Sequence, residues 1–110
     1  MKQTERELLI EARMHLERAQ LHAKSDLNAE IVQDAVAMRL VAMIDTLARL
    51  TQAALDAYFG EEWPAMRGMR NRIVHGYMSV DPEVIRLTVS EDLADIDTRI
   101  RRAIDDSPPV

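Results

Sequence analysis

Apolar residues recur at helical spacing almost from the first turn of this chain. Thr4 and Glu7 form a capping-box pair, and Leu9, Ala12, Leu16, Ala19 and Ala23 follow in alternating steps of three and four. That stripe predicts a helix from Glu5 to Ala23. Lys24-Ser25-Asp26 reads as a short connection with an N-cap candidate, and a second helical run is predicted from Leu27 to Phe59, stopped by Gly60. This second run carries two stripes. Ile31, Ala35, Met38 and Ala42 make one; Val36, Leu40, Met43, Leu47, Leu50 and Ala54 make the other. A helix apolar on two sides is buried on two sides. One stripe is therefore expected to face the core and the other a partner, most simply a second copy. The plainer reading is a central helix in a monomeric bundle. So long a run also invites a kink.

Glu61-Glu62-Trp63-Pro64 punctuates the pattern, with Pro64 placed to open a third helix whose buried face is Met66, Met69 and Ile73. Gly76, directly after His75, is the predicted stop. Asp81-Pro82 is an N-cap and first-turn pair for a short fourth helix to Val89, and Ser90 is expected to cap a fifth with Leu93, Ile96, Ile100 and Ile104 as its stripe. No repeat or linker interrupts this order. The expectation is an all-α fold: an antiparallel bundle of about five helices, dimerising through the long second helix and the third. It forms a single domain over residues 1–106, with a disordered tail at 107–110.

Composition narrows the picture. At 110 residues the chain is long enough to bury about two-thirds of its unfolded surface. Ala, Arg and Leu are the most frequent residues while Phe and Trp are nearly absent, which favours helices. Without cysteine, disulfides and thiolate metal sites are excluded. No apolar run approaches membrane-spanning length, and Met1-Lys2-Gln3-Thr4-Glu5-Arg6-Glu7 is too charged for a signal peptide, so the expected location is the cytoplasm. A net charge of -5 argues against indiscriminate nucleic-acid binding. Yet Trp63 to Val80 is an acid-free stretch holding Arg67, Arg70 and Arg72. A small basic site on an acidic body implies a local, selective anion contact.

That stretch contains Arg70-Asn71-Arg72-Ile73-Val74-His75-Gly76-Tyr77, an R-x-x-x-x-H-x-Y pattern. Arg70 can hold a phosphate with two parallel hydrogen bonds. His75 can accept or donate a proton near neutral pH. A helix C-terminus favours its imidazolium while neighbouring arginines oppose it. Asn71 is placed to orient a scissile group or to face solvent. Five residues along an ideal helix put Arg70 and His75 about 140° apart. They meet only if the helix breaks at Gly76 or if a twofold axis brings two copies together, and the surplus apolar stripe favours the latter. The segment lacks carboxylates, cysteines or paired histidines at metal-ligand spacing, which favours metal-independent chemistry and no cofactor. There an RNA 2′-hydroxyl attacks its own phosphate, His75 handles the proton, and Arg70 stabilises the added charge. DNA lacks that hydroxyl, so the expected substrate is RNA.

Met69 to Tyr77, followed by Val80-Asp81, resembles the signature of the HepT-like toxins, in the HEPN superfamily of helical-bundle ribonucleases. The order of helices around it is similar too. The resemblance implies a homodimeric RNA endonuclease of a type VII-like toxin–antitoxin pair, with a small MntA-like nucleotidyltransferase as the ATP-using antitoxin. By position, Arg70 and His75 match the catalytic pair, Asn71 the polar residue beside the arginine, and Tyr77 the tyrosine that receives AMP. Such a modification would add negative charge and block the cleft. Two positions depart from what is common in that family: Arg86 stands where an aromatic residue is frequent, and Asp45 where a glutamate often faces the site.

Plainer readings stand beside these. A lone histidine at a helix end is usually a capping or core residue, and Tyr77 can be a packed aromatic. Arg67 and Arg72 are surface charges or supporting RNA contacts. His15 and His22 lie two turns apart on the first helix, about 10 Å, too far for one metal. The whole chain can also be read as a non-catalytic module that docks to the nucleotidyltransferase and is modified by it, or as a bundle that binds nucleotide beside it.

Overall fold

The computed structural model describes residues 2–75 and 79–109. Five helical rods account for most of them. α1 spans Glu5–His22, α2 Glu30–Leu47, α3 Gln52–Tyr58 and α4 Glu62–Ile73; the fifth rod joins α5 (Pro82–Leu87) to α6 (Leu93–Asp106) through a π-helical turn at Thr88–Asp92. A two-residue hairpin, β1 (Val74–His75) with β2 (Ser79–Val80), pairs antiparallel, Val74 opposite Val80 and His75 opposite Ser79. The expected all-α bundle is observed, and the hairpin is an addition to it.

The helix starts follow their caps. Thr4 and Glu7 close a full capping box: the Thr4 hydroxyl accepts from the Glu7 amide at 3.1 Å, and the Glu7 carboxylate accepts from the Thr4 amide at 3.0 Å. The second run begins three residues later than predicted. Asp26 Oδ1 accepts from the Asn28 amide at 2.9 Å, and Gln33 Nε2 donates to the Leu27 carbonyl at 2.9 Å, so Leu27 to Ala29 belong to a turn.

That run is also two helices, not one from Leu27 to Phe59. Tight turns after Leu47 tuck Leu50 into the core, and Thr51 caps α3 by accepting from the Ala54 amide at 3.1 Å. Gly60 ends α3 at φ +54°, a left-handed conformation glycine adopts without strain. α4 starts two residues before Pro64, which occupies its first turn, where the missing amide costs nothing.

Ser90 does not cap a new helix. It lies within the π-helical turn, its hydroxyl donating to the Leu87 carbonyl at 3.2 Å. Buried positions run Ile85, Thr88, Leu93, Ile96, Ile100 and Ala103. The five-residue step from Thr88 to Leu93 does not fit an α-helix, and one widened turn restores the register.

α1 and α2 are antiparallel, since Glu11 meets Thr46 (3.1 Å) while His15 meets Arg39 (3.1 Å) further down α2. α1 and α6 are antiparallel by the same logic: Arg6 donates to the Ile104 carbonyl, and Arg13 approaches Asp97. Tyr58 ties α3 to α1 by donating to Glu5 Oε2 at 2.7 Å, a bond that pushes its phenol up to about 12. Leu9, Leu16, Leu40, Met43, Leu47, Ile73, Ile85 and Ile100 form the fully buried centre. Each contributes roughly 1.5–3 kcal/mol by leaving water. Ser107 is also buried, donating to the Ile104 carbonyl at 2.7 Å. Among the described residues, no helix is long and apolar enough to cross a membrane.

His15 gives the bundle a pH dependence. Arg39 has only donors, so His15 Nδ1 must accept and the ring is neutral, with its proton on Nε2. Burial and then Arg39 hold its pKa below the ordinary imidazole value, with Glu11 opposing. The unfolded chain thus takes this proton more readily than the folded protein. This contribution to stability is complete above the unfolded value, about 6.5, and is lost as pH falls through it toward the folded one. Urea midpoints measured at pH 5.5 and 7.5 should differ less in His15→Gln, whose amide oxygen still accepts from Arg39, than in the native protein. An unchanged difference would refute this assignment.

Candidate active site

The site grows from the end of α4. Met66, Met69 and Ile73 lie on its buried face, as the spacing predicts, and Trp63 joins them. With that face fixed against the core, Arg70 falls on the flank toward α2. Its Nε donates to Asp45 Oδ1 at 3.1 Å and its Nη2 to Asp45 Oδ2 at 3.3 Å, a two-bond contact across the α2–α4 boundary. Both side chains stay partly open to solvent, Arg70 at 35% and Asp45 at 55%.

The helix stop predicted at Gly76 comes earlier. α4 ends at Ile73, and Val74 turns to φ −101°, ψ 96°. Consecutive β-branched Ile73 and Val74 suit extended backbone, and the hairpin takes over the pairing. The Ile73 carbonyl accepts from the Asp81 amide at 3.4 Å. The backbone of His75 therefore belongs to a strand two residues beyond the helix, so the argument from a helix C-terminus no longer applies to it. The side chain of His75, and Tyr77 entirely, lie outside the described residues.

The remaining expected site residues divide between two flanks of α4. Arg67, one turn before Arg70, and Asn71 are exposed. Arg72 is exposed too, but two residues turn it about 200° from Arg70. It folds back over Gly68, where an added Cβ would sit 3.2 Å from its Nη1. There it lines a cleft of about 120 Å³ between α4 and α6 with Glu62, Asp92 and Asp95. The structure thus does not bring Arg72 to Arg70. Arg86 is engaged by Glu83 at 3.1 Å on its own helix. Among the described residues, no three His, Cys, Asp or Glu side chains converge as metal ligands would.

The resemblance put Asp45 where a carboxylate often faces the site but named no partner for it; the structure pairs it with Arg70, 25 residues away. One signal was present. The outer stripe of α2 runs Ile31, Ala35, Met38, Ala42, and the next position in its alternating rhythm is Asp45. In the structure the inner stripe is buried as expected, whereas Ile31 is 79% and Met38 71% exposed. The open apolar face of α2 leads directly to the carboxylate that holds Arg70.

The helical bundle agrees with the HEPN-like helical fold of one ribonuclease family. The family model for HepT-like ribonucleases matches residues 8–103, from the second turn of α1 to the last turn of α6. The chain belongs to that ribonuclease family, which implies RNA as its substrate. No solved structure matches it significantly.

Proposed function

We propose that the protein is the toxin of a toxin–antitoxin pair: a cytoplasmic, metal-independent RNA endonuclease acting as a homodimer with a composite site. A minimal MntA-like nucleotidyltransferase silences it by transferring AMP from ATP to Tyr77. The observation that carries this reading is one of placement, within a chain of a ribonuclease family. Arg70, on the last turn of α4, is held by Asp45, and Asp45 ends an apolar face of α2 that the protomer does not bury.

In this mechanism the RNA 2′-oxygen attacks the adjacent phosphorus, forming a 2′,3′-cyclic phosphate, and the 5′-oxygen of the next nucleotide leaves. His75 moves the proton, and Arg70 balances the charge that gathers on the phosphoryl oxygens. Arg67 and Asn71, exposed near Arg70, guide the strand. AMP on Tyr77, two residues from His75, would bring an anion to the place where the phosphate must sit.

Incubation of the purified protein with an RNA oligonucleotide in EDTA tests this. The expected products carry 2′,3′-cyclic phosphate and 5′-hydroxyl ends, and a single 2′-deoxy substitution at the cut site should stop cleavage there. Intact RNA, together with Tyr77 modification by the partner enzyme, would favour the docking-module reading instead.

A further inference from the structure

We propose that Asp45 is the positioning residue of Arg70: its carboxylate fixes one edge of the guanidinium and leaves the other aimed at the scissile phosphate. This rests on the ribonuclease reading above. A guanidinium has five N–H donors in a rigid fork. Asp45 occupies Nε and one hydrogen of Nη2 (3.1 and 3.3 Å). Among the described residues no other group bonds to this guanidinium, and the second hydrogen of Nη2 with the facing hydrogen of Nη1 forms the end-on edge that takes two phosphoryl oxygens side by side. Two bonds to one carboxylate also lock the guanidinium plane. A long side chain on the last turn of α4, next to a change from helix to strand, would otherwise sample many rotamers.

A purely structural role for the pair is poorly supported. Both partners are partly open to solvent, and an ion pair this accessible to water adds little to stability. α2 and α4 already share one buried core, to which they contribute Met43, Leu47, Met66, Met69 and Ile73. A competing role, in which Asp45 merely occupies the place of the phosphate and must be displaced, fits the contact less well. The carboxylate holds the side-on edge and leaves the end-on edge open. The position of Asp45 adds a consequence: it continues the open apolar stripe of α2, so whatever covers that stripe also bears on how Arg70 is held.

The test compares native protein with Asp45→Ala, Asp45→Asn, Asp45→Glu and His75→Ala. It follows cleavage of an RNA oligonucleotide, binding of its uncleavable all-2′-deoxy counterpart, and thermal unfolding. Loss of orientation should lower kcat by about ten- to a hundredfold in Asp45→Ala. Asp45→Asn should fall nearly as far, because an amide offers one acceptor and sets its NH₂ against an N–H donor. Asp45→Glu should regain part of the loss, and binding of the deoxy strand and the unfolding midpoint should change little. Native kcat in Asp45→Ala alongside an inactive His75→Ala would overturn the role of Asp45 alone. Tighter binding with faster cleavage in Asp45→Ala would overturn it in favour of competition with phosphate. Full activity in His75→Ala would instead remove the reading beneath it.

Discussion

RNA cleavage by His75→Ala is expected to fall by about 10²- to 10⁴-fold, the range that positioned proton transfer contributes, while the fold survives. In the proposed reaction the 2′-hydroxyl must lose a proton as the P–O bond forms, and the leaving 5′-oxygen must gain one. The described neighbours of Arg70 supply no substitute. Asp45 is already tied to Arg70, and the Arg67 guanidinium offers donors but no acceptor. The fold should tolerate the change because the pairing of His75 with Ser79 in the hairpin is made by backbone, which alanine keeps. Single-turnover cleavage, circular dichroism and light scattering on the same preparation separate the two effects. Arg70→Ala should lose a comparable factor, about 10²- to 10³-fold for a lost oxyanion donor. Cleavage at the native rate by folded His75→Ala would exclude the histidine as the proton carrier.

What the sequence made legible depended on whether the signal was local. The capping box at Thr4 and Glu7, the α1 stripe and the glycine stop at Gly60 are each defined within a few residues, and the structure repeats them. The place of the break between α2 and α3 was hidden because Leu47, Leu50 and Ala54 keep helical steps through it; the length of the run suggested a kink, and the cap at Thr51 marks where it falls. The π-helical turn reads in the sequence as a break capped by Ser90, because the buried position before it is the polar Thr88. At the site, Arg70 stands where the motif put it, but its partner lies on another helix, 25 residues back. Arg72 appeared to belong to the same basic island, yet helical periodicity sends it to the opposite flank, over Gly68. Charge runs along a chain; an active site is assembled around an axis. The outer stripe of α2 was correctly seen as surplus to the protomer's own core, and its exposure is what turns a sequence pattern into an argument about assembly.

That exposure supports the second large effect: the pair of substitutions Ile31→Asp and Met38→Asp should convert the proposed dimer to monomers and abolish most cleavage at micromolar protein. Two residues this open, 79% and 71%, sit two turns apart on one face with Ala35 and Ala42 between and beyond them. Small residues at those positions allow another helix to approach closely. Covering both large side chains on both protomers would contribute roughly 6–12 kcal/mol before the cost of association. An aspartate at either position would instead have to be desolvated without a partner, which reverses the sign of the contact. Neither side chain belongs to the core, so the variant's thermal unfolding should stay close to that of the native protomer. The same face ends at Asp45, which holds Arg70, so separating the protomers should also disturb the arginine and remove the second copy of the motif. Sedimentation velocity and cleavage assays across a dilution series supply the measurement. In the native protein, activity per molecule should fall as the dimer dissociates; in the variant it should be low at every concentration. A monomeric native protein that cleaves at a rate independent of its concentration would leave α2's open face without this role and place the whole reaction within one chain.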